Sequence, residues 1–469
     1  MPLDTLALAL DAEPLGNDVR RPVDYNARLV AEAVLATPYR EAPGAAEPLP
    51  HAAYGLEAVD DGLRWRMCPA EGLRWSDGTP LRTAHLVAGI RDAAVRDRQT
   101  GRFLADGDEA AAELPDGRVE VRLREPTGFL PALLTLPQLS PIRPHFDGFL
   151  GPYLPAGRNG RDGGPRLRLQ PYAQAEGLPE ELRFPVLADL DRAVGAFRSG
   201  LVQATPTTSF DVPDIESHAN DPDLVTAPVT LFGSLEFGRR APRVRQAPGL
   251  RAAVAATLDP EALAARTGGL LEAAPAPVAS LLGRDGSPRP AAPGAQEIRA
   301  VRAAYAGAGP MEVAYADFVP NGTVVEGICA RLRETLGLDV RPRALSYGAY
   351  VRAALTGNHA LLYTLTTADF PHPAALLGPW AAGGTYGRTT GFTDAAFDRL
   401  FAAARATTGT DGPEAWLEAE QRWLYLMPRV PLLRVRAHYL ASPRVRAAGL
   451  TPSGLVPPQG LSARPAVRR

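Results

Sequence analysis

Strand-like and helix-like segments alternate through most of this chain, and the alternation limits its possible folds more than any other feature. The clearest stretch is 311–366, which predicts in order a strand, a helix, a strand, a short helix and a strand. These segments lie at Met311–Phe318, Asn321–Leu336, Leu338–Leu345, Ser346–Leu355 and Ala360–Thr366. Strands that alternate with helices build βαβ units with right-handed crossovers, so the sequence predicts an α/β fold.

Other segments extend this pattern. Amphipathic helices are expected at 250–258, at 393–405 and at 412–426, and Asp259 followed by Pro260 is typical of a helix start. Three stretches rich in Pro, Gly and Ala are expected to be surface loops; they are Tyr39–Leu49, Gly151–Pro165 and Ala273–Pro293.

The chain contains no lysine, since all 50 of its basic residues are arginine. A Walker A phosphate loop and Schiff-base chemistry both need a lysine amine, so both are excluded. The net charge of −2 gives no sign of a nucleic-acid partner, which would favour a basic excess. No apolar run reaches the length of a transmembrane helix, and no cofactor is predicted.

The N-terminus predicts a first strand rather than a signal peptide, because Asp4 and Asp11 flank its apolar stretch and no positive charge precedes it. The two cysteines, Cys68 and Cys329, lack metal-type spacing, and Cys329 is expected to be a buried, inert thiol. His372 and His438 are isolated, so no metal site is predicted.

The most distinctive motif is Gly72–Leu81, which contains Trp75-Ser76-Asp77-Gly78. Chemically it predicts a strand, a tight turn at Asp77-Gly78 and a helix capped by Thr83. The string resembles the signature of the family-5 extracellular solute-binding proteins, the oligopeptide-, dipeptide- and nickel-binding group. His85 replaces the acid that this family usually carries in the helix cap. Further similar segments follow in the family's order, at Tyr25–Val34, Ser140–Ile142, Phe197–Val202, Val244–Pro260, Leu336–Val340, Ala368–Pro373, Gly391–Leu400 and Pro428–Leu432.

The resemblance implies a two-lobed periplasmic-binding-protein-like fold in which two crossing strands join the lobes. Lobe one would hold residues 1–236, with a subdomain at about 35–150, and would be completed by the tail 438–469. Lobe two would hold 237–437, with crossings near 232–238 and 434–440. Hinge closure would then enclose the ligand between the lobes.

The same resemblance points to ligand-binding residues. Asp369 falls where peptide-binding relatives hold the ligand's ammonium group, although a turn-forming Asp remains the competing interpretation. Leu365 and Thr367 would offer backbone groups to an extended peptide. Tyr363 stands where some relatives carry a carboxylate-binding arginine. Glu236 would form either a ligand contact or a hinge ion pair. The full predicted set is Asp369, Thr367, Leu365, Tyr363, Thr366, Trp380, Tyr386 and Glu236, of which Trp380 and Tyr386 are pocket walls or core residues.

The resemblance therefore implies the substrate-binding component of an ABC importer, which binds a peptide or a similar amine-bearing solute. Its partners would be a permease and an ATPase, and the protein would be a monomer outside the cytoplasm or at the cell surface. Two alternatives remain open: a cytoplasmic homologue repurposed as a biosynthetic enzyme or carrier, and a ligand-sensing regulator. The sequence contains no HExxH or GxSxG motif, so no enzyme is predicted.

Overall fold

The computed structural model describes residues 4–16, 18–45, 47–159, 163–170, 177–242, 245, 247–284, 292–306, 309–408 and 412–461. The chain forms a mixture of helices and strands arranged in several sheets, which confirms the predicted α/β class. The strands are β1 (Thr5–Ala7), β2 (Tyr39–Arg40), β3 (Leu49–Pro50), β4 (Ala53–Val59), β5 (Arg64–Pro69), β6 (Ala111–Glu113), β7 (Val119–Arg122), β8 (Tyr153–Asn159), β9 (Gly163–Leu169), β10 (Glu181–Arg183), β11 (Leu224–Phe237), β12 (Leu271–Ala273), β13 (Met311–Ala316), β14 (Val340–Leu345), β15 (Leu361–Thr367) and β16 (Arg429–Leu440).

The α-helices are α1 (Tyr25–Val34), α2 (Thr83–Arg96), α3 (Arg98–Gly101), α4 (Leu130–Leu133), α5 (Leu190–Arg198), α6 (Val212–His218), α7 (Pro248–Thr257), α8 (Pro260–Ala265), α9 (Pro277–Leu281), α10 (Ala295–Tyr305), α11 (Asn321–Leu336), α12 (Tyr347–Thr356), α13 (Pro373–Leu377), α14 (Thr385–Thr390), α15 (Ala395–Ala406), α16 (Gly412–Leu426) and α17 (Pro443–Arg446). None of the described helices has the length and apolar character needed to cross a membrane.

The chain divides into two compact units. Unit 1 contains Met1–Phe210, Asn220–Ala227 and Ala437–Arg469, and unit 2 contains Asp211–Ala219 and Pro228–Arg436. After the short segment Asp211–Ala219, which belongs to unit 2, the chain passes from unit 1 to unit 2 within strand β11 and returns within strand β16.

Unit 1 contains a four-stranded sheet in the order β1-β10-β9-β8, a second in the order β4-β5-β7-β6, and the short pair β2-β3. The core behind the first sheet is apolar, and Leu6, Tyr153 and Phe184 are at most 1% exposed within it. The predicted first strand is confirmed at Thr5–Ala7, while residues 1–3 lie outside the described part.

The expectation of a loop over Gly151–Pro165 is wrong. Strands β8 and β9 form an antiparallel hairpin there, with Tyr153 opposite Leu169. Strand β9 also pairs with β10, where Leu167 lies opposite Leu182. Burial of these apolar side chains in the core outweighs the low strand propensity of glycine and proline.

The motif around Trp75 forms the predicted turn. The Gly78 N–H donates to the Trp75 carbonyl at 2.8 Å, and Gly78 has φ +85°, a conformation that glycine adopts without steric cost. The predicted cap at Thr83 is wrong, because Thr83 is the first helical residue and Arg82 is the N-cap. His85 Nδ1 accepts the Arg82 backbone N–H at 3.1 Å, so a neutral imidazole replaces the family's acidic acceptor.

Unit 2 is built on one six-stranded sheet in the order β12-β16-β11-β15-β13-β14. Strand β13 runs parallel to both β14 and β15, which confirms the predicted βαβ arrangement. Gly337 ends α11 with φ +65°, as its position after an apolar stripe predicted. The predicted helix after Asp259 is α8, whose N-terminus is capped by that carboxylate. Val244 and Gln246 of the family-like helix segment lie outside the described residues.

Candidate functional site

The backbone of strand β15 has two different edges. On one edge β15 pairs with β11 along its whole length, from Leu361 opposite Phe237 to Thr367 opposite Leu231. The N–H of Ala368 donates to Thr230 at 2.8 Å just beyond the strand. Because hydrogen-bonded pairs alternate in an antiparallel ladder, Leu365 and Thr367 direct their backbone groups away from β11.

The other edge of β15 is covered only in part. Strand β13 pairs with β15 at Leu361 and Leu362 alone, so among the described residues the ladder on this side stops before Leu365. The Leu365 N–H instead contacts the Tyr350 hydroxyl of α12 at 3.4 Å, a long and therefore weak hydrogen bond. Leu365 and Thr367 thus lie on a strand edge to which a further strand can be added.

Behind this strand a buried ion pair joins Glu236 of β11 to Arg429 of β16. Their side chains are 10% and 4% exposed, so little water screens the pair. The Arg429 guanidinium also donates to Thr366 Oγ1 at 2.8 Å, and Thr364 Oγ1 lies 3.4 Å from Glu236. Burial lowers the pKa of Arg429 to about 9, which still leaves it charged at neutral pH.

Two aromatic rings complete the environment of this arginine. The Arg429 guanidinium carbon lies 5.0 Å from the centre of the Trp380 ring and 4.5 Å from that of Tyr386. Trp380 is 2% exposed and also packs against Phe392 and Trp423, so its ring is a core element of unit 2. Tyr386 is half-buried, with its ring centre 4.9 Å from that of Trp380.

The predicted residues therefore occupy two faces of the same sheet. Thr366 is the cross-strand partner of Phe232, and its side chain shares a face with Glu236 and Arg429. Tyr363 has an odd position on β15 and points to the opposite face. A Cβ added at Gly233 would overlap the Tyr363 hydroxyl, so the absence of a side chain at Gly233 accommodates the Tyr363 ring.

Tyr363 is fully buried at 1% exposure, and its hydroxyl has no hydrogen-bond partner within the described residues. Burial raises the pKa of this phenol above its usual range. Asp369 is half-buried and lies two residues beyond the end of β15, between the buried Ala368 and Phe370. The same turn continues to His372, whose Nδ1 accepts the Ala374 N–H at 3.1 Å and caps α13.

Sequence reasoning did not identify Arg429 or Tyr350 as parts of this region. Arg429 carried a usable signal, since it is a lone cation at the start of the apolar run Val430–Leu433. A cation in such a run needs a buried partner. Tyr350 carried no signal in the sequence, because a tyrosine on an amphipathic helix is common and does not indicate a site.

No metal centre emerges in the part of the chain that the structure describes, where no three His, Cys, Asp or Glu residues come together as ligands. Both cysteines are free thiols. Cys329 is fully buried, as predicted, and burial raises its pKa to about 11, which keeps the thiol protonated and unreactive.

Comparison with known families gives the class of this protein. Residues 47–388 match the family model described as bacterial extracellular solute-binding proteins, family 5 Middle. Since this match covers well over half of the chain, the protein belongs to that family, whose members are binding proteins rather than enzymes.

Solved structures of the same architecture are numerous. The E. coli murein tripeptide binding protein MppA has a TM-score of 0.76 at 15% identity, covering 98% of this chain and 97% of its own. Haemophilus influenzae OppA in complex with the peptide RPPGFSPFR has a TM-score of 0.74 at 15% identity, covering 99% of both chains. AgaA of A. tumefaciens in complex with agropinic acid has a TM-score of 0.77 at 17% identity, covering 98% of both chains.

These likenesses establish the two-lobed periplasmic-binding-protein fold. No curated protein sequence matches the chain.

Proposed function

We propose that this protein is the substrate-binding component of an ABC importer and that it binds a peptide with a free N-terminus. The observation that carries the proposal is the part of the β15 edge beyond Leu362, which no described strand pairs with and where Leu365 and Thr367 direct backbone groups away from β11. A peptide added to this edge would receive backbone hydrogen bonds that do not depend on its side chains. MppA and OppA, which share the fold, are described as binding a murein tripeptide and a nonapeptide.

Asp369 supplies the specificity for an amine in this proposal. It follows Thr367 by two residues and therefore lies just beyond the end of the strand edge that the peptide would occupy. A charge-assisted hydrogen bond to an ammonium group contributes roughly 1.5–3 kcal/mol. The bond between Leu365 N–H and Tyr350 is weak enough for a peptide carbonyl to replace it.

The test uses calorimetry with a mixture of tripeptides and the same mixture acetylated at the N-terminus. We expect the free tripeptides to bind the wild type and to lose about tenfold or more in affinity in Asp369→Asn. Acetylated tripeptides should bind both proteins weakly and equally. The matched control is Asp339→Asn, which removes an exposed carboxylate that is ion-paired with Arg341 on the far edge of the sheet.

Equal affinity of free tripeptides for wild type and Asp369→Asn would remove Asp369 from the ligand site. No binding of either mixture to the wild type would contradict a peptide ligand altogether. Native mass spectrometry of the purified protein would then identify the solute that it carries, with agropinic acid, the ligand of the AgaA structure, as a reference compound.

The import role is proposed from the family alone. The protein would act outside the cytoplasm or at the cell surface, and its partners would be a permease and an ATPase. It is tested with a permease and an ATPase of the same organism, reconstituted together in lipid vesicles. Ligand-loaded protein should stimulate ATP hydrolysis, whereas the Asp369→Asn variant should do so only at higher ligand concentration. Stimulation that is the same with and without this protein would count against the role.

A further inference from the structure

A cavity of about 720 Å³ lies in unit 2 against the sheet face that carries Ala314 and Arg343. Its floor is formed by β13 and β14 and its wall by α12. The size falls within the usual range of small-molecule sites, about 300–1,000 Å³. It lies on the β13 and β14 side of β15, and its lining includes no residue of the proposed peptide edge at Leu365–Asp369.

The cavity exists because α12 packs loosely. The two crossovers run in opposite directions along the sheet, from β13 to β14 and from β14 back to β15. Right-handed crossovers therefore place α11 and α12 on opposite faces. Helix α11 buries a full apolar stripe, whereas α12 has no buried residue and turns the small side chains of Ala349 and Ala353 toward the cavity.

Three arginines from three different elements line this space. Arg240 follows β11, Arg343 lies on β14 and Arg352 lies on α12. Only Arg343 has an acidic partner within the described residues, since its guanidinium lies 2.5 Å from Glu312. Arg240 donates to the neutral Asn358 side chain at 2.9 Å, which supplies orientation but no countercharge.

The lining consequently carries a net positive charge, because three arginines face one glutamate and leave a formal charge of +2. His359, which also lines the cavity, adds no charge at neutral pH. Burial, and then the nearby Arg240, lowers its pKa to about 4. Guanidinium groups without a carboxylate partner are well suited to bidentate binding of carboxylate or phosphate groups.

We propose that this cavity is a second ligand site, which binds a small organic anion that carries two or more carboxylate or phosphate groups. Arg240 and Arg352 each bind one oxyanion group. The apolar side chain of Leu345 contacts the hydrocarbon part of the ligand. The site is separate from the peptide edge of β15 and goes beyond the proposed import function.

The experiment is calorimetry at low salt with citrate and with inorganic pyrophosphate as the two probes. We expect saturable binding of at least one probe, and the tighter probe distinguishes carboxylate from phosphate recognition. The double variant Arg240→Gln/Arg352→Gln should weaken that binding about tenfold or more. Both residues are exposed at the cavity rim, so the variant is expected to fold, which thermal unfolding checks.

The matched control is Arg341→Gln on the same strand as Arg343. Arg341 is exposed, lies 3.4 Å from Asp339 and does not line the cavity. Binding that is retained in Arg341→Gln and in Asp369→Asn, but lost in the double variant, supports a separate anion site. Absence of binding by both probes overturns the proposal, and so does equal weakening in Arg341→Gln, which would indicate general charge attraction.

Discussion

At the scale of single residues, His372 shows how a titratable group can act as a fixed helix cap. Its Nδ1 accepts the Ala374 N–H, and its ring packs edge-on against Trp416 at 5.2 Å. Burial lowers the pKa of His372 to about 3, far below the value near 6.5 of an unfolded chain. The folded protein therefore keeps this imidazole neutral under conditions in which the unfolded chain protonates it.

This difference predicts an acid-sensitive contribution to stability. Below about pH 6.5 the unfolded state binds a proton at His372 that the folded state does not, so the free energy of unfolding falls as the pH falls. One such proton corresponds to about 1.4 kcal/mol per pH unit. In His372→Asn, where a neutral cap acceptor remains, the slope between pH 6.5 and pH 4.5 should decrease by that amount. Urea unfolding across this range measures it, and parallel pH profiles for both proteins would contradict it.

The ion pair between Glu236 and Arg429 carries a second prediction. Replacing Arg429 alone with Met leaves Glu236 as a buried carboxylate that keeps, within the described residues, only a weak contact with the Thr364 hydroxyl. Such a loss costs roughly 3–5 kcal/mol, whereas replacing both partners with apolar residues removes the buried charge as well. We therefore expect Glu236→Leu/Arg429→Met to be more stable than Arg429→Met in urea unfolding.

The exposed ion pair of Glu312 and Arg343 provides the control for that measurement. Their side chains are 49% and 50% exposed, so Glu312→Gln should change the free energy of unfolding by less than about 1 kcal/mol. A double variant at Glu236 and Arg429 that is less stable than Arg429→Met would contradict the prediction. It would mean that Glu236 stabilises the fold even without Arg429.

At the scale of elements, strand β15 permits a comparison between its two edges. Thr367→Pro removes an N–H that points away from β11, and Thr366→Pro removes one that pairs with β11. Proline is tolerated on a free edge but disrupts a central ladder. We expect Thr367→Pro to keep the folded state and to weaken tripeptide binding about tenfold. Thr366→Pro should lower the thermal unfolding temperature markedly. Thermal unfolding measures the stability of both variants, and calorimetry measures peptide affinity in Thr367→Pro. Full peptide affinity in Thr367→Pro would contradict strand addition at this edge.

The elements of unit 2 were predictable because their signals are local. Apolar spacing, a capping Asp259 and a terminal Gly337 define helices without knowledge of their neighbours. The hairpin of β8 and β9 was missed for the opposite reason. Its glycines and prolines are typical of loops, and the sheet that stabilises it is completed by β1, which pairs with β10 from the start of the chain.

The candidate site was only partly predictable for a similar reason. The sequence identifies β15 and Asp369 through family resemblance, but it does not reveal which face of the sheet each side chain occupies. Arg429 lies 193 residues from Glu236, so their pairing appears only when β11 and β16 become neighbours in the sheet. Contacts of this kind depend on sheet order, which no local pattern encodes.

At the scale of the whole molecule, the path of the chain makes unit 2 an insertion into unit 1. Apart from the segment Asp211–Ala219, the chain enters unit 2 on β11 and leaves it on β16, and these strands are neighbours in its sheet. Units whose ends lie on adjacent strands are commonly able to fold alone. Helix α6 also belongs to unit 2, where Val212 packs so closely on Gly268 that an added Cβ would lie 2.7 Å from its methyl carbon.

We therefore predict that the fragment 211–436 folds by itself, with cooperative urea unfolding and the α/β circular dichroism spectrum of the whole protein. It retains both β15 and the arginine-lined cavity, so it should bind the anion probes with nearly the affinity of the full chain. The shorter fragment 228–436 lacks α6, which leaves the surface around Gly268 exposed to water, and should unfold at a lower urea concentration. Equal stability of the two fragments would mean that α6 contributes nothing to unit 2, and a gradual, non-cooperative transition in the longer one would show that unit 2 depends on unit 1 to fold.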